Sequence, residues 1–164
     1  MKKLISVILA LMCIFSLFGC SADKDISKTE KTEVYTFSGE NEYISVINGA
    51  VIIDPEEETF VGGELRILQD EIAEDTVCWS EEFYVFRDGE KKIIQKNIMN
   101  DESGGAKVSV SGDLGKISGA NVINEYNGTD EDSFVDNLFF VFTVRNSEGI
   151  KKTYEIQMKV KKVY

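Results

Sequence analysis

After residue 32 the chain begins to alternate apolar with polar residues, and turn dipeptides interrupt the alternation at short intervals. A period of two places one side of an extended chain in a core and the other in water, so the pattern predicts antiparallel strands. The run from Glu42 to Asp54 (EYISVINGAVIID) predicts a hairpin about Asn48-Gly49, because a type I′ turn needs positive φ at both central positions. That register sets Ile47 opposite Ala50, Val46 opposite Val51 and Ile44 opposite Ile53, with Ile44, Val46, Val51 and Ile53 on one face.

A second hairpin is expected from Trp79 to Ile94 about Asp88-Gly89, opposing Arg87 with Glu90, Tyr84 with Ile93 and Phe83 with Ile94. A third is expected from Leu138 to Lys161, joined by Asn146-Ser147-Glu148-Gly149. Its return strand turns Tyr154, Ile156, Met158 and Val160 inward and Glu155, Gln157, Lys159 and Lys161 outward. Shorter strands are expected at Val34–Ser38, Glu64–Leu68, Lys107–Ser111 and Asn121–Ile123. Between Gly63 and Ala73 a strand should give way to a turn or short helix. The glycine-bearing stretches Ser103–Gly105 and Ser111–Gly119 read as turns, since neither has the spacing of a phosphate-binding loop. Eight or nine strands at this spacing predict an all-β fold, an antiparallel β-sandwich of immunoglobulin-like type, as one domain over residues 33–164. About 130 residues suffice for one core without disulfide staples.

The N-terminus is built differently. Lys2 and Lys3 precede an apolar run from Leu4 to Phe18 that closes on Leu17-Phe18-Gly19-Cys20. This resembles a bacterial lipoprotein signal peptide ending in a lipobox. The resemblance implies that residues 1–19 are removed, that Cys20 carries the lipid, and that residues 20–32 (polar and without hydrophobic periodicity) form a tether. The protein would then sit on the extracytoplasmic face of the membrane. A transmembrane helix needs about 20 apolar residues, and this run is shorter and interrupted by Ser6 and Ser16. Plain secretion and an uncleaved anchor are the alternatives.

Composition limits the chemistry. There is no histidine, which removes the commonest general base, the Ser-His and Cys-His pairs and the usual zinc ligands. Beyond the leader the sole S-x-x-K match is Ser21 to Lys24, inside the expected tether. Paired carboxylates could still hydrolyse glycosides, but the sequence singles out no pair. No cofactor motif is present. With Cys13 lost and Cys20 lipidated, Cys78 has no partner and reads as a small buried apolar residue beside Trp79.

The net charge of −11 becomes −13 once Lys2 and Lys3 leave with the leader. Such a surface repels nucleic acid and anionic headgroups. Two acidic clusters are weighed as calcium sites: Asp54 with Glu56, Glu57 and Glu58, and Asn127 with Asp130, Asp132 and Asp136. The second departs from a calcium loop, because Phe134 falls where a ligand belongs and no closing glutamate follows. The metal candidates are thus Asp130, Asp132 and Asp136, with a solvated loop as the simpler reading. Tyr43 and Tyr126 are the aromatics singled out as candidate contact residues.

The segments FSGENEYISVINGAVIID, GGEL, RDGEKK, SGDLGKISG and the terminal hairpin resemble a family of small Firmicute lipoproteins of unassigned function. The resemblance implies an envelope location and a sandwich, and supplies no active-site residues. The expectation is a lipid-anchored, non-enzymatic binding module, held to the membrane by Cys20 and meeting another envelope protein. A cation-binding domain and a carboxylate-based hydrolase of wall polymers are the rivals.

Overall fold

The computed structural model describes residues 31–74, 76–100, 110, 112–120, 122–123 and 134–164. Among them are eleven strands: β1 (Glu33–Glu40), β2 (Ile44–Ile53), β3 (Glu58–Val61), β4 (Glu64–Ile67), β5 (Thr76–Arg87), β6 (Glu90–Asn100), β7 (Gly112–Asp113), β8 (Lys116–Gly119), β9 (Leu138–Asn146), β10 (Lys151–Gln157) and β11 (Lys159–Lys162). One 3-10 turn, Asp70–Ile72, follows β4, as the mixed pattern there predicts. Expectations for the leader, for Cys20 and the tether up to residue 30, for residues 103–109, and for Tyr126, Asn127, Asp130 and Asp132 lie outside the described residues.

The strands form two antiparallel sheets. One holds seven strands in the order β11-β1-β2-β3-β8, with β4 pairing β2 and β7. The other holds four in the order β10-β9-β5-β6. The fold is an all-β sandwich. The four-stranded order is the G-F-C-C′ order of immunoglobulin sandwiches, and β2, β3–β4 and β7–β8 stand in the A-B-E order opposite it. Buried Trp79 lies on β5, the strand in the C position, although no disulfide accompanies it among the described residues.

Asn48-Gly49 is not a hairpin turn. β2 runs through it and pairs β1 along both halves, with Phe37 opposite Gly49 and Gly39 opposite Val46. Two steps on β1 therefore match three on β2, which is a β-bulge, and Asn48 takes φ 60 to make it. The extra residue reverses the side-chain alternation. Val46 and Val51, an odd number of positions apart, consequently both face the core beside Ile44 and Ile53. The face expected of a hairpin is thus produced by a bulge. The irregularity continues across the sheet: Gly62-Gly63 divides β3 from β4 and Leu114-Gly115 divides β7 from β8. Gly62 N–H donates to Gly115 O and Leu114 N–H to Gly63 O, both at 2.9 Å.

The other expected hairpins form. Asp88 (φ 53) and Gly89 (φ 77) make the turn between β5 and β6, and Arg87 opposes Glu90 and Tyr84 opposes Ile93. A shift between Phe83 and Tyr84 then places Gln95, not Ile94, opposite Phe83. The third hairpin holds through Gln157, where the chain leaves β9 and enters the other sheet as β11. Three short expectations change. Glu58–Val61 is a strand that the acidic run before it disguised. Lys116–Gly119, read as a turn, pairs β3 as β8. Val122 and Ile123 lie in a turn.

The core is aromatic. Phe83 sits between the sheets, 5.0 Å from Phe60, 5.6 Å from Phe37 and 4.7 Å from Phe140 by ring centroids. Lysines follow a simple rule: apart from Lys31, each lysine among the described residues lies on β6, β8, β10 or β11, the strands that end the two sheet orders. Charged side chains there blunt unpaired strand edges against further pairing.

Candidate binding surfaces

The outward side chains of the four-stranded sheet lie in rows fixed by its register. The first interior row is Gln157, Phe139, Tyr84 and Ile93. The next rows are Glu155, Val141, Glu82 and Lys96; then Thr153, Thr143, Ser80 and Ile98; then Lys151, Arg145, Cys78 and Asn100. Antiparallel sheets usually present a polar face to water, yet the first row carries two aromatic rings and an isoleucine at three of its four positions. Tyr84 stacks on Phe139 at 5.1 Å, and Phe86 meets both edge-on at 5.4 and 5.6 Å. Phe86 stays 47% exposed and Ile93 40%. The unbroken apolar runs Phe83–Phe86 and Leu138–Phe142 were a readable signal of this, since strands that do not alternate are apolar on both faces.

Charges frame the aromatic band. Glu82 accepts from Lys91 at 2.5 Å and Lys96 at 2.9 Å. Burial raises its pKa, but the two ammonium groups outweigh burial and hold it below the usual carboxylate range. Lys91 also lies 3.9 Å from the Tyr84 ring centroid. Burial, with the Glu155 carboxylate that accepts the Tyr84 hydroxyl, pushes the Tyr84 pKa up to about 12.

A cleft of about 410 Å³ opens at the side of the sandwich, lined by Trp79, Glu81, Asn97, Ile98, Met99 and Asp113 among others. Glu81 is an inward residue opposite Phe142 and Asn97. Burial raises its pKa, and hydrogen bonds from Asn97 and the Trp79 indole offset part of that rise. Asp113 spends one oxygen on the Gly115 N–H at 2.8 Å and so shapes its own turn. Two carboxylates thus line one cleft, one partly desolvated and one a turn former. Beside the cleft, Asn97 and Gln95 both donate to Leu114 O, tying β6 to the bend between β7 and β8.

Of the described acidic positions read as cation ligands, Glu58 and Asp54 serve the fold through their side chains and Asp136 through its backbone, while Glu56 and Glu57 are exposed. Glu58 is 2% exposed and accepts the Ile123 N–H at 2.6 Å. Asp54 accepts from Thr32 Oγ1 at 2.8 Å and from Glu56 N–H at 3.2 Å. Asp136 takes φ 63 in the turn before β9, and its carbonyl accepts from Gln157 at 2.6 Å. Among the described residues no group of three His, Cys, Asp or Glu side chains could hold a metal. Cys78 is half-buried on the outer face instead of in the core. Tyr43 packs on Tyr154 at 5.1 Å and stays 38% exposed. No family model, no curated protein and no solved structure matches the chain.

Proposed function

We propose that the chain is a lipid-anchored binding module on the extracytoplasmic face of a membrane, and that it meets an envelope protein through the aromatic band of its four-stranded sheet. The anchor rests on Leu17-Phe18-Gly19-Cys20 after Lys2, Lys3 and an apolar run. The likeness to small Firmicute lipoproteins points the same way. The observation that carries the binding surface is the exposure of Phe86 and Ile93 beside Phe139 and Tyr84, on a face that should be polar. Clustered aromatics on a firm sheet with a charged border have the make-up of a protein contact, in which a few large side chains supply most of the affinity.

Binding rather than turnover fits a chain without histidine. A protein partner fits better than nucleic acid at a net charge of −11. The lysine-bearing rims disfavour recruitment by strand addition, which leaves sheet faces as the contact surfaces. The anchor is tested by fractionating cells that make a Cys20→Ala chain. Release into the medium, or accumulation of uncleaved precursor, is expected; processing and membrane retention like the parent's would refute it. The surface is tested by photo-crosslinking from Phe86 and, as control, from Ser118 on the opposite sheet. A discrete adduct from Phe86 alone is expected, and none from either position would remove the reading.

A further inference from the structure

The end of the sandwich farthest from Glu33 carries an exposed apolar groove. β1 runs about 23 Å from Glu33 to Glu40, so the link from β1 to β2 lies at this far end. Tyr43 in that link packs on Tyr154 of β10, and Leu68 N–H donates to Tyr43 O at 2.8 Å. Tyr154 also lines a groove of about 220 Å³ together with Ile72, Val144 and Ile150, and its charged lining is Glu71 and Lys152. Tyr43, Leu68 and Ile150 are all exposed. Large apolar side chains gathered at one end form a patch, whereas those scattered singly over a surface do not.

Local hydrogen bonds shape the groove in advance. Thr76 Oγ1 donates to Ile72 O at 2.5 Å and fixes the 3-10 turn against β5. Asn146 Oδ1 accepts the Ile150 N–H at 2.8 Å and Asn146 O the Gly149 N–H at 3.0 Å, which fixes the turn bearing Ile150. Gln69 Nε2 donates to Glu42 O at 3.1 Å and joins the other two loops. A partner therefore meets an ordered surface and little conformational entropy is lost on this side. The volume is below the roughly 300 Å³ at which sites for free small molecules begin, and it suits one inserted side chain.

Charge selects what docks. The loops at this end, residues 41–43, 68–74 and 146–150, bring Glu42, Asp70, Glu71, Glu74 and Glu148 and no lysine or arginine. The adjoining strand ends add Glu40 and the cations Arg145, Lys151 and Lys152, so carboxylates outnumber cations six to three, and Arg66 on β4 is already paired with Glu64. Arg145 and Lys151 stand in the outward row of the four-stranded sheet, which leaves Lys152 as the cation lining the groove. None of the five loop carboxylates is ion-paired with another described residue. Such an end repels anionic headgroups, and it repels a second copy of a chain whose net charge is −11. We infer that this end docks a basic segment of a partner protein, which seats one aromatic side chain in the groove beside Tyr154 and Ile150 and sets its cations against the acidic loops. A ring there pairs with the tyrosines, and the charges speed and orient the encounter. The aromatic band lies elsewhere, since Phe139 and Asn146 are at opposite ends of β9, so the two surfaces stand or fall separately.

The test titrates full-length chain in non-ionic detergent into a fluorescently labelled heptapeptide, one phenylalanine with three lysines on each side, and follows anisotropy at low and at physiological salt. Saturable binding is expected, and about tenfold weaker binding of the same peptide with alanine at its centre. Ile150→Gln should weaken binding of the phenylalanine peptide by about the same tenfold. Glu71→Gln with Glu148→Gln should weaken it about fivefold at low salt and less at physiological salt. Glu56→Gln with Glu57→Gln, an equal charge change at exposed positions beyond the other end of β2, should alter affinity less than about twofold. Phe86→Ala, on the aromatic band, should leave the affinity for this peptide unchanged. The inference is overturned by absence of saturable binding, by equal affinity for the two peptides, by equal losses in the two carboxylate pairs, or by a loss at Phe86 in place of Ile150. Dimerisation of the parent that Ile150→Gln abolishes would overturn it too, by giving this end to a second copy.

Discussion

Phe37 lies across Gly49 so closely that a Cβ on Gly49 would stand 2.1 Å from Phe37 Cε2. The ring is pinned from its other side, stacked on Phe60 at 5.3 Å and edge-on to Phe83 at 5.6 Å. A methyl group at Gly49 therefore displaces the centre of the core. Gly49→Ala should cost about 1–3 kcal/mol, the usual range for overpacking, in a urea titration of the protein. An unchanged midpoint would show that Phe37 can move aside.

Asn48 separates the two demands placed on the bulge. Asparagine and glycine tolerate its φ of 60, whereas a β-branched residue does not. Asn48→Gly should stay within about 0.5 kcal/mol of the parent. Asn48→Val should lose about 1–2 kcal/mol, because the left-handed conformation now crowds a branched Cβ. Equal stabilities would mean that β2 can drop its bulge.

Two neighbouring carboxylates should give opposite responses to pH. The pKa of Glu82 is depressed in the folded protein, so its contribution is present above the unfolded value of about 4.3 and is lost as the pH falls through the folded value. The pKa of Glu81 is raised by burial, so stability declines as the pH rises from about 4.3 through its folded value. Melting curves across this range should show Glu82→Gln with a shallower loss toward acid. Glu81→Gln should show a shallower loss on the way up from acid to neutral. Matching profiles for the two variants would contradict the assignment.

The aromatic band should matter for contact more than for folding. Phe86 is about half exposed and its ring packs edge-on to Tyr84 and Phe139, so Phe86→Ala should cost no more than about 1.5 kcal/mol of stability. A hot-spot role predicts a loss of about 2 kcal/mol or more in affinity for the crosslinked partner, read by titration. A variant that binds as the parent does would move the contact elsewhere.

The alternation of β10 and the Asp88-Gly89 turn were legible because each depends on residues close in sequence, whereas the inward set of β2 came out as expected although the hairpin assumed for it does not form. Asn48-Gly49 was not legible, since a turn and a bulge ask for the same positive φ. What decides between them is the strand on the far side: Gly39 must oppose Val46 and Phe37 must lie over Gly49. Glu58 misled for a similar reason. A glutamate in an acidic run reads as solvated, and the N–H that draws it inside belongs to Ile123, 65 positions later.

The position of β1 has a mechanical consequence. It is an interior strand, bonded to β11 on one side and β2 on the other, and its first turn of chain is fastened by Val34 to Tyr164 and by Glu33 to Lys162. A pull on residue 33 along the strand loads both ladders in shear at once instead of unzipping them pair by pair. A domain hung from its N-terminal side would resist drag with the strongest arrangement its hydrogen bonds allow.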